Sequence, residues 1–140
     1  MTITVPILNQ FLTEHFPDMH HFGRVHSIKD EEVVFRLRPQ KQHLRPGGTV
    51  SGPTMMALAD TAAWCALLHQ IGLEAFAVTT NLNINFLRKP AADADLDAIG
   101  TVLKLGRKLA VTEVSLMQND TMVAHATCTY SLPSRSSVAR

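Results

Sequence analysis

Residues 45–68 read RPGGTVSGPTMMALADTAAWCALL, a glycine-rich run that opens into a long apolar stretch with one carboxylate, Asp60, inside it. Met55, Met56, Leu58, Ala59, Ala62, Ala63, Trp64, Ala66, Leu67 and Leu68 put apolar groups on nearly every side of a helix, the pattern of a helix buried over most of its circumference. Its start lies near Ser51 to Thr54, where Ser51 or Thr54 can cap and Pro53 suits a first turn whose N–H would be unpaired anyway. Gly72 ends it. A charge in such a helix needs a reason, because an unpaired buried carboxylate is strongly disfavoured. Asp60 must be hydrogen-bonded, neutralised by protonation, or turned toward a polar cleft. A satisfied structural role is the ordinary outcome for a lone aspartate. Gly47, Gly48 and Gly52 add a functional reading, since the free N–H groups and dipole of a helix N-terminus favour an anion or a developing oxyanion.

Upstream, TVPILNQFLTEHF places Ile7, Leu8, Phe11, Leu12 and Phe16 at helical spacing until Pro17, which predicts an N-terminal helix within 1–17. Two extended runs follow, His20 to Ile28 and Val33 to Arg38, separated by the charged turn Lys29-Asp30-Glu31-Glu32. Downstream of the long helix the period becomes two: Val78, Thr80, Leu82, Ile84 and Phe86 fall on one face, and Thr79, Asn81, Asn83 and Asn85 on the other. Leu96 to Leu105 and Leu109 to Met117 read as strands about the turn Gly106-Arg107, with a change of parity near Thr112 that suggests a bulge. A last strand carries Met122, Ala124, Ala126, Cys128, Tyr130 and Leu132 on one face, and the tail 134–140 reads as frayed. The sum is a single α+β domain spanning 1–140, in which consecutive antiparallel strands wrap one helix.

With 140 residues and 46% hydrophobic content the chain can bury a substantial core, and its net charge of +1 gives no broad footprint for nucleic acid or an anionic membrane. The longest apolar run is too short to span a bilayer, and the opening residues MTITVPILNQ lack the basic region and cleavage site of a signal peptide, so none is expected. Cys65 and Cys128 lack metal-ligand or CxxC spacing and read as buried free thiols, which favours a reducing, cytoplasmic setting. The histidines show no ligand spacing, and His20-His21 reads as strand and turn; no metal is expected.

Three stretches carry a resemblance: G-x-x-x-G at Gly48 to Gly52 leading into TMMALAD, VTTNLNINFLRKP at 78–90, and GRK at 106–108. Over nearly the whole chain the sequence resembles the hotdog-fold acyl-CoA thioesterases, specifically the phenylacetate-degradation (PaaI-like) branch. That resemblance implies a hotdog fold, with an antiparallel sheet wrapped around one long central helix. It also implies a thioester carbonyl held by the Gly52 N–H, Asp60 as general base or nucleophile, and Thr79 positioning the water, or Thr80 if the loop shifts the register. Where the family has Asn, His and a second Gly, this chain has Arg45, Ser51 and Pro53. Arg45 has the forked donors to bind a carboxylate on the acyl group or a phosphate, and Ser51 occupies a substrate-side position. Arg88-Lys89 and Arg107-Lys108 fall where the family places cations for the phosphates of coenzyme A.

The activity so implied is hydrolysis of a small or medium acyl-CoA, aryl groups included, with no cofactor beyond the coenzyme A of the substrate. Two other readings fit the same residues: a non-catalytic acyl-CoA-binding hotdog protein, and a hotdog dehydratase or hydratase, which would need a histidine near Asp60. Gly52 and Asp60 lie eight positions apart on one helix, so the rise of about 1.5 Å per residue separates them by roughly 10–12 Å. One thioester cannot easily bridge that gap within a chain, whereas two antiparallel central helices would close it. The resemblance implies this dimer, with a tetramer common, so a homodimer or homotetramer with shared active sites is expected.

Overall fold

A computed structural model describes residues 2–133; the tail 134–140 lies outside the described residues. Helix α1 (Val5–His15) is capped by Thr4, whose side chain accepts from the Ile7 N–H, and it buries Leu8, Phe11 and Leu12. The extended run expected over His20 to Ile28 forms only from Arg24. Pro17–Phe22 winds into a 3₁₀ turn, and Gly23 follows at φ 124 with its backbone so close to Arg36 that a Cβ would lie 2.3 Å from the Arg36 carbonyl oxygen. That left-handed glycine delays strand β1 to Arg24–Lys29. After a turn with Asp30 at φ 56, β2 (Glu32–Leu37) pairs antiparallel with β1.

Helix α2 (Gly52–Ile71) is the element the sheet wraps, with twelve buried residues from Thr54 to Leu68. Ser51 proves to be the N-cap, its Oγ accepting from the Thr54 N–H at 3.2 Å, and Gly72 closes the other end at φ 98. The carbonyl of His43 accepts from the Ser51 N–H and the Thr54 hydroxyl, anchoring the incoming loop to the first turn. Strands β3 (Val78–Phe86), β4 (Leu96–Leu105), β5 (Leu109–Gln118) and β6 (Thr121–Ser131) complete one antiparallel sheet of order β1-β2-β4-β5-β6-β3. This is the α+β hotdog architecture.

Sequence order and sheet order differ in one place that matters. Strand β3 does not lie beside β4, as a run of consecutive hairpins would require; it crosses to the far edge and pairs with β6. Its alternation also breaks once. Thr79 stands opposite Tyr130 and Asn81 opposite Thr129, so Thr80 is the extra residue of a bulge. The face shared with Leu82, Ile84 and Phe86 is therefore occupied by Thr79 and not by Thr80 or Val78. The parity change near Thr112 marks a bulge as well, but on the neighbouring strand: Val102 pairs with Thr112 and Lys104 with Val111, leaving Leu103 over. Thr112 itself is buried, with its hydroxyl donating to the Cys128 carbonyl at 2.9 Å.

Candidate functional site

Asp60 lies in the middle of α2 on the side that meets the start of β3 and the end of β6. Its Oδ1 accepts from the Thr79 hydroxyl at 2.8 Å and from the Tyr130 hydroxyl at 2.6 Å. Tyr130 shares its single proton with the Asp60 main-chain carbonyl, also at 2.6 Å. Thr79 and Tyr130 are cross-strand partners on the helix-facing side of the sheet, and the Thr80 bulge makes them so. The charge is thus supported by two donors yet only half-buried.

One side of Asp60 opens to a cleft of about 380 Å³, with Thr79, Tyr130 and Thr61 at the carboxylate end and Leu12, Phe16 and Trp64 along the wall. Trp64 is flanked by two rings, Phe11 at 5.7 Å between centroids and Phe16 edge-on at 5.0 Å. The wall is apolar and aromatic, suited to an acyl group, and it is built in part by α1 and the residue that ends it. No histidine lines this cleft among the described residues. No group of histidine, cysteine, aspartate and glutamate with metal-ligand geometry occurs among the described residues.

Burial pushes the Tyr130 phenol well above its ordinary range, and the negative charge of Asp60 pushes it further, so Tyr130 acts as a neutral donor. Burial likewise lifts the thiols of Cys65 and Cys128 to about 12, with Asp60 adding to the effect at Cys128. Thiols held in this way carry little thiolate, the form a nucleophile needs.

The other predicted residues lie apart from Asp60. Gly52 is the first residue of α2, where its N–H has no partner among the described residues, and the ring of Phe86 lies 3.6 Å from where a Cβ would sit. Gly47 and Gly48 do not join it: they take positive φ in a tight turn in which the Gly48 N–H donates to the Arg45 carbonyl. Arg45 is exposed on that turn, and Ser51 is occupied by its capping bonds. Thr80 donates to the Thr129 carbonyl on the exposed side of the strand. Arg88 and Lys89 are exposed just beyond the Phe86 end of β3; Arg107 and Lys108 are exposed in the β4–β5 turn, at the Val78 end. Within one chain the structure assembles Asp60 with Thr79 and leaves Gly52 and the basic pairs elsewhere.

Tyr130 was not singled out as a site residue by the sequence. The available signal was that the only tyrosine of the chain falls in the apolar row of the last strand, where a hydroxyl must find a polar partner. No helix among the described residues is long and apolar enough to cross a membrane.

The family model for the thioesterase superfamily matches residues 47–125, which include Gly52, Asp60, Thr79 and both basic pairs. The structure resembles a candidate thioesterase from Silicibacter sp. TM1040 at 41% identity and a TM-score of 0.86, covering 95% of this chain and 94% of that one. A mutant of the phenylacetic acid degradation protein PaaI from Thermus thermophilus is 26% identical, with a TM-score of 0.74 over 84% of this chain and 99% of its own. Thioesterase superfamily member 2 of zebrafish is 25% identical, with a TM-score of 0.82 over 94% and 99% of the two chains.

Proposed function

The chain belongs to the thioesterase superfamily, a hotdog thioester hydrolase of PaaI-like type, and from that premise we propose that it hydrolyses small or medium acyl-CoA esters, aryl esters included, at Asp60. The observation that carries this reading is the placement of Asp60, held by Thr79 at the polar end of an otherwise apolar and aromatic cleft. Asp60 takes a proton from water, or attacks directly, while the thioester carbonyl is polarised by the Gly52 N–H and the α2 dipole. When water attacks, its oxygen bonds to the carbonyl carbon, the C–S bond breaks, and the proton held by Asp60 passes to the departing thiolate. When Asp60 attacks, the C–S bond breaks to give thiolate and an acyl anhydride on Asp60, which water then hydrolyses to free acid and Asp60. No metal or further cofactor enters the scheme.

The two halves of the site come from two copies. Strand β3 is an edge strand, and its ends carry the two halves: Thr79 with Asp60 at one end, Phe86 with Gly52 at the other. Antiparallel pairing of two such edges, centred on Leu82-Asn83, sets the partner subunit's Gly52 beside Asp60. It also brings the partner subunit's Arg88 and Lys89 toward Arg107 and Lys108, gathering cations for phosphates that one chain leaves scattered. The exposed Met56, Val78, Phe86 and Leu87 supply apolar surface along this edge. Arg45, exposed on its turn, has the forked donors to favour acyl groups that carry a carboxylate or to meet a phosphate of coenzyme A.

Release of free thiol from a panel of acyl-CoAs tests the reading, and absence of release from every member would defeat it. The shared site is tested by co-expressing an Asp60→Asn chain with a Gly52→Pro chain, each inactive alone. Mixed dimers hold one intact site and should regain activity. Verified mixed dimers without activity would rule the shared site out.

A further inference from the structure

The two donors that reach Asp60 both fall on one oxygen. Thr79 and Tyr130 bond to Oδ1, at 2.8 and 2.6 Å, while Oδ2 accepts no hydrogen bond among the described residues. A carboxylate so held is no longer symmetric. Proton density from two hydroxyls makes Oδ1 the poorer base and the poorer nucleophile, and leaves the reactive lone pairs on Oδ2.

The second bond of Tyr130, to the main-chain carbonyl of Asp60 at 2.6 Å, ties the same hydroxyl to the helix backbone. One phenol therefore references the carboxylate to the axis of α2 and blocks rotation about the Cβ–Cγ bond that would exchange the two oxygens. Tyr130 is 2% exposed and lies near the end of β6, a strand paired on both sides, here with Ala110 and with Thr79. Two ladders hold its backbone and the core encloses its ring, which is the rigidity a positioning group needs.

We propose that Tyr130 is a positioning residue for hydrolysis, which with Thr79 fixes Asp60 so that Oδ2 alone faces the reacting water or thioester carbon. The inference rests on the reading of Asp60 as the reacting group and adds which of its atoms reacts and what selects it. It also assigns a task to the Thr80 bulge: without the extra residue Thr79 would face the other side of the sheet, and Tyr130 would hold the carboxylate alone.

The decisive variant is Tyr130→Phe, which keeps the ring and removes the hydroxyl. Its kcat on the best ester of the panel should fall roughly 10- to 100-fold with KM unchanged, the signature of a reacting group held less well and not of a lost substrate contact. An unchanged kcat, or a rise in KM alone, would overturn the proposal. Because Tyr130 is the only tyrosine, biosynthetic incorporation of 3-fluorotyrosine labels this hydroxyl alone and gives a second measurement that needs no folded Tyr130→Phe variant. The ¹⁹F resonance of the labelled protein should shift on Asp60→Asn, where the bond changes character, and an unmoved resonance would also overturn the proposal. If the wild-type protein cleaves no thioester, the reading of the site falls and takes this inference with it. An active wild type matched by Tyr130→Phe overturns the inference alone.

Discussion

Helix α2 presents two contrasting faces to the same sheet. Toward β4 it offers small side chains, and contact is so close that a Cβ on Gly100 would lie 2.7 Å from the Ala62 carbonyl oxygen and 3.4 Å from the Ala66 Cβ. Toward β3 and β6 it offers Asp60, which accepts from one hydroxyl of each strand, and an open cleft. The first face is backbone against backbone, filled and without polar side chains. The second spends packing for chemistry, and the contrast explains how one helix can be both the core of the fold and the wall of a site. Substitutions on the two faces should therefore separate stability from turnover.

The largest effect is expected on the open face. Asp60→Asn keeps the shape of the side chain and both hydroxyl partners but supplies a far poorer base and nucleophile, so turnover should fall by about 10²- to 10⁴-fold. The melting temperature should change little, since an amide oxygen still accepts from Thr79 and Tyr130. Thiol-release kinetics alongside a thermal melt measure both quantities. Loss of folding in this variant would mean that the charge serves the core, and the two faces would no longer differ in kind.

On the closed face the signature should reverse. Gly100→Ala sets a methyl group against the helix backbone, and neither the Ala62 carbonyl nor the strand can give way as a flexible side chain would. The expected cost is about 1–3 kcal/mol, read as a drop of several degrees in melting temperature. Turnover per folded molecule should fall far less than in Asp60→Asn. A variant that melts at the wild-type temperature would show that α2 does not press on β4 as described.

The same contrast governs what could be read from the sequence. The apolar run of α2, its serine cap and its terminal glycine are local signals, and they bound the helix to within a residue. Strands β4, β5 and β6 are likewise legible from alternation and turn residues. What failed was non-local. Nothing local tells β3 to cross the sheet, because its partners are chosen by the closure of the sheet around α2 and not by its own pattern. The Thr79/Thr80 ambiguity has the same origin: strict alternation puts Thr80 with Leu82, and only the pairing with β6 shows that Thr80 is the bulged residue. Tyr130 falls on the correct face by alternation, yet its link to Asp60 spans 70 positions and depends on the two strands meeting beside the helix.

The smallest expected effect lies where the two faces share an origin, at the helix start. Ser51 caps α2 through the Thr54 N–H at 3.2 Å and contacts the Thr54 hydroxyl at 2.8 Å, and the next N–H belongs to Gly52. Ser51→Ala removes the cap and should cost about 1 kcal/mol, while Ser51→Asn retains a side-chain acceptor and should cost a few tenths at most. Stability alone would make Ser51 a structural residue. It also stands where the resembling family has a histidine, which would put it on the substrate side, and the pair of variants separates the two roles. If capping is its whole task, Ser51→Asn should match the wild type in both melting temperature and kcat/KM, whereas Ser51→Ala should lose stability and, through a frayed first turn, a fewfold in kcat as the Gly52 N–H loses its fixed direction. A Ser51→Asn protein that melts normally yet has a raised KM would instead show the hydroxyl touching substrate. The helix start would then belong to the open face, alongside Asp60.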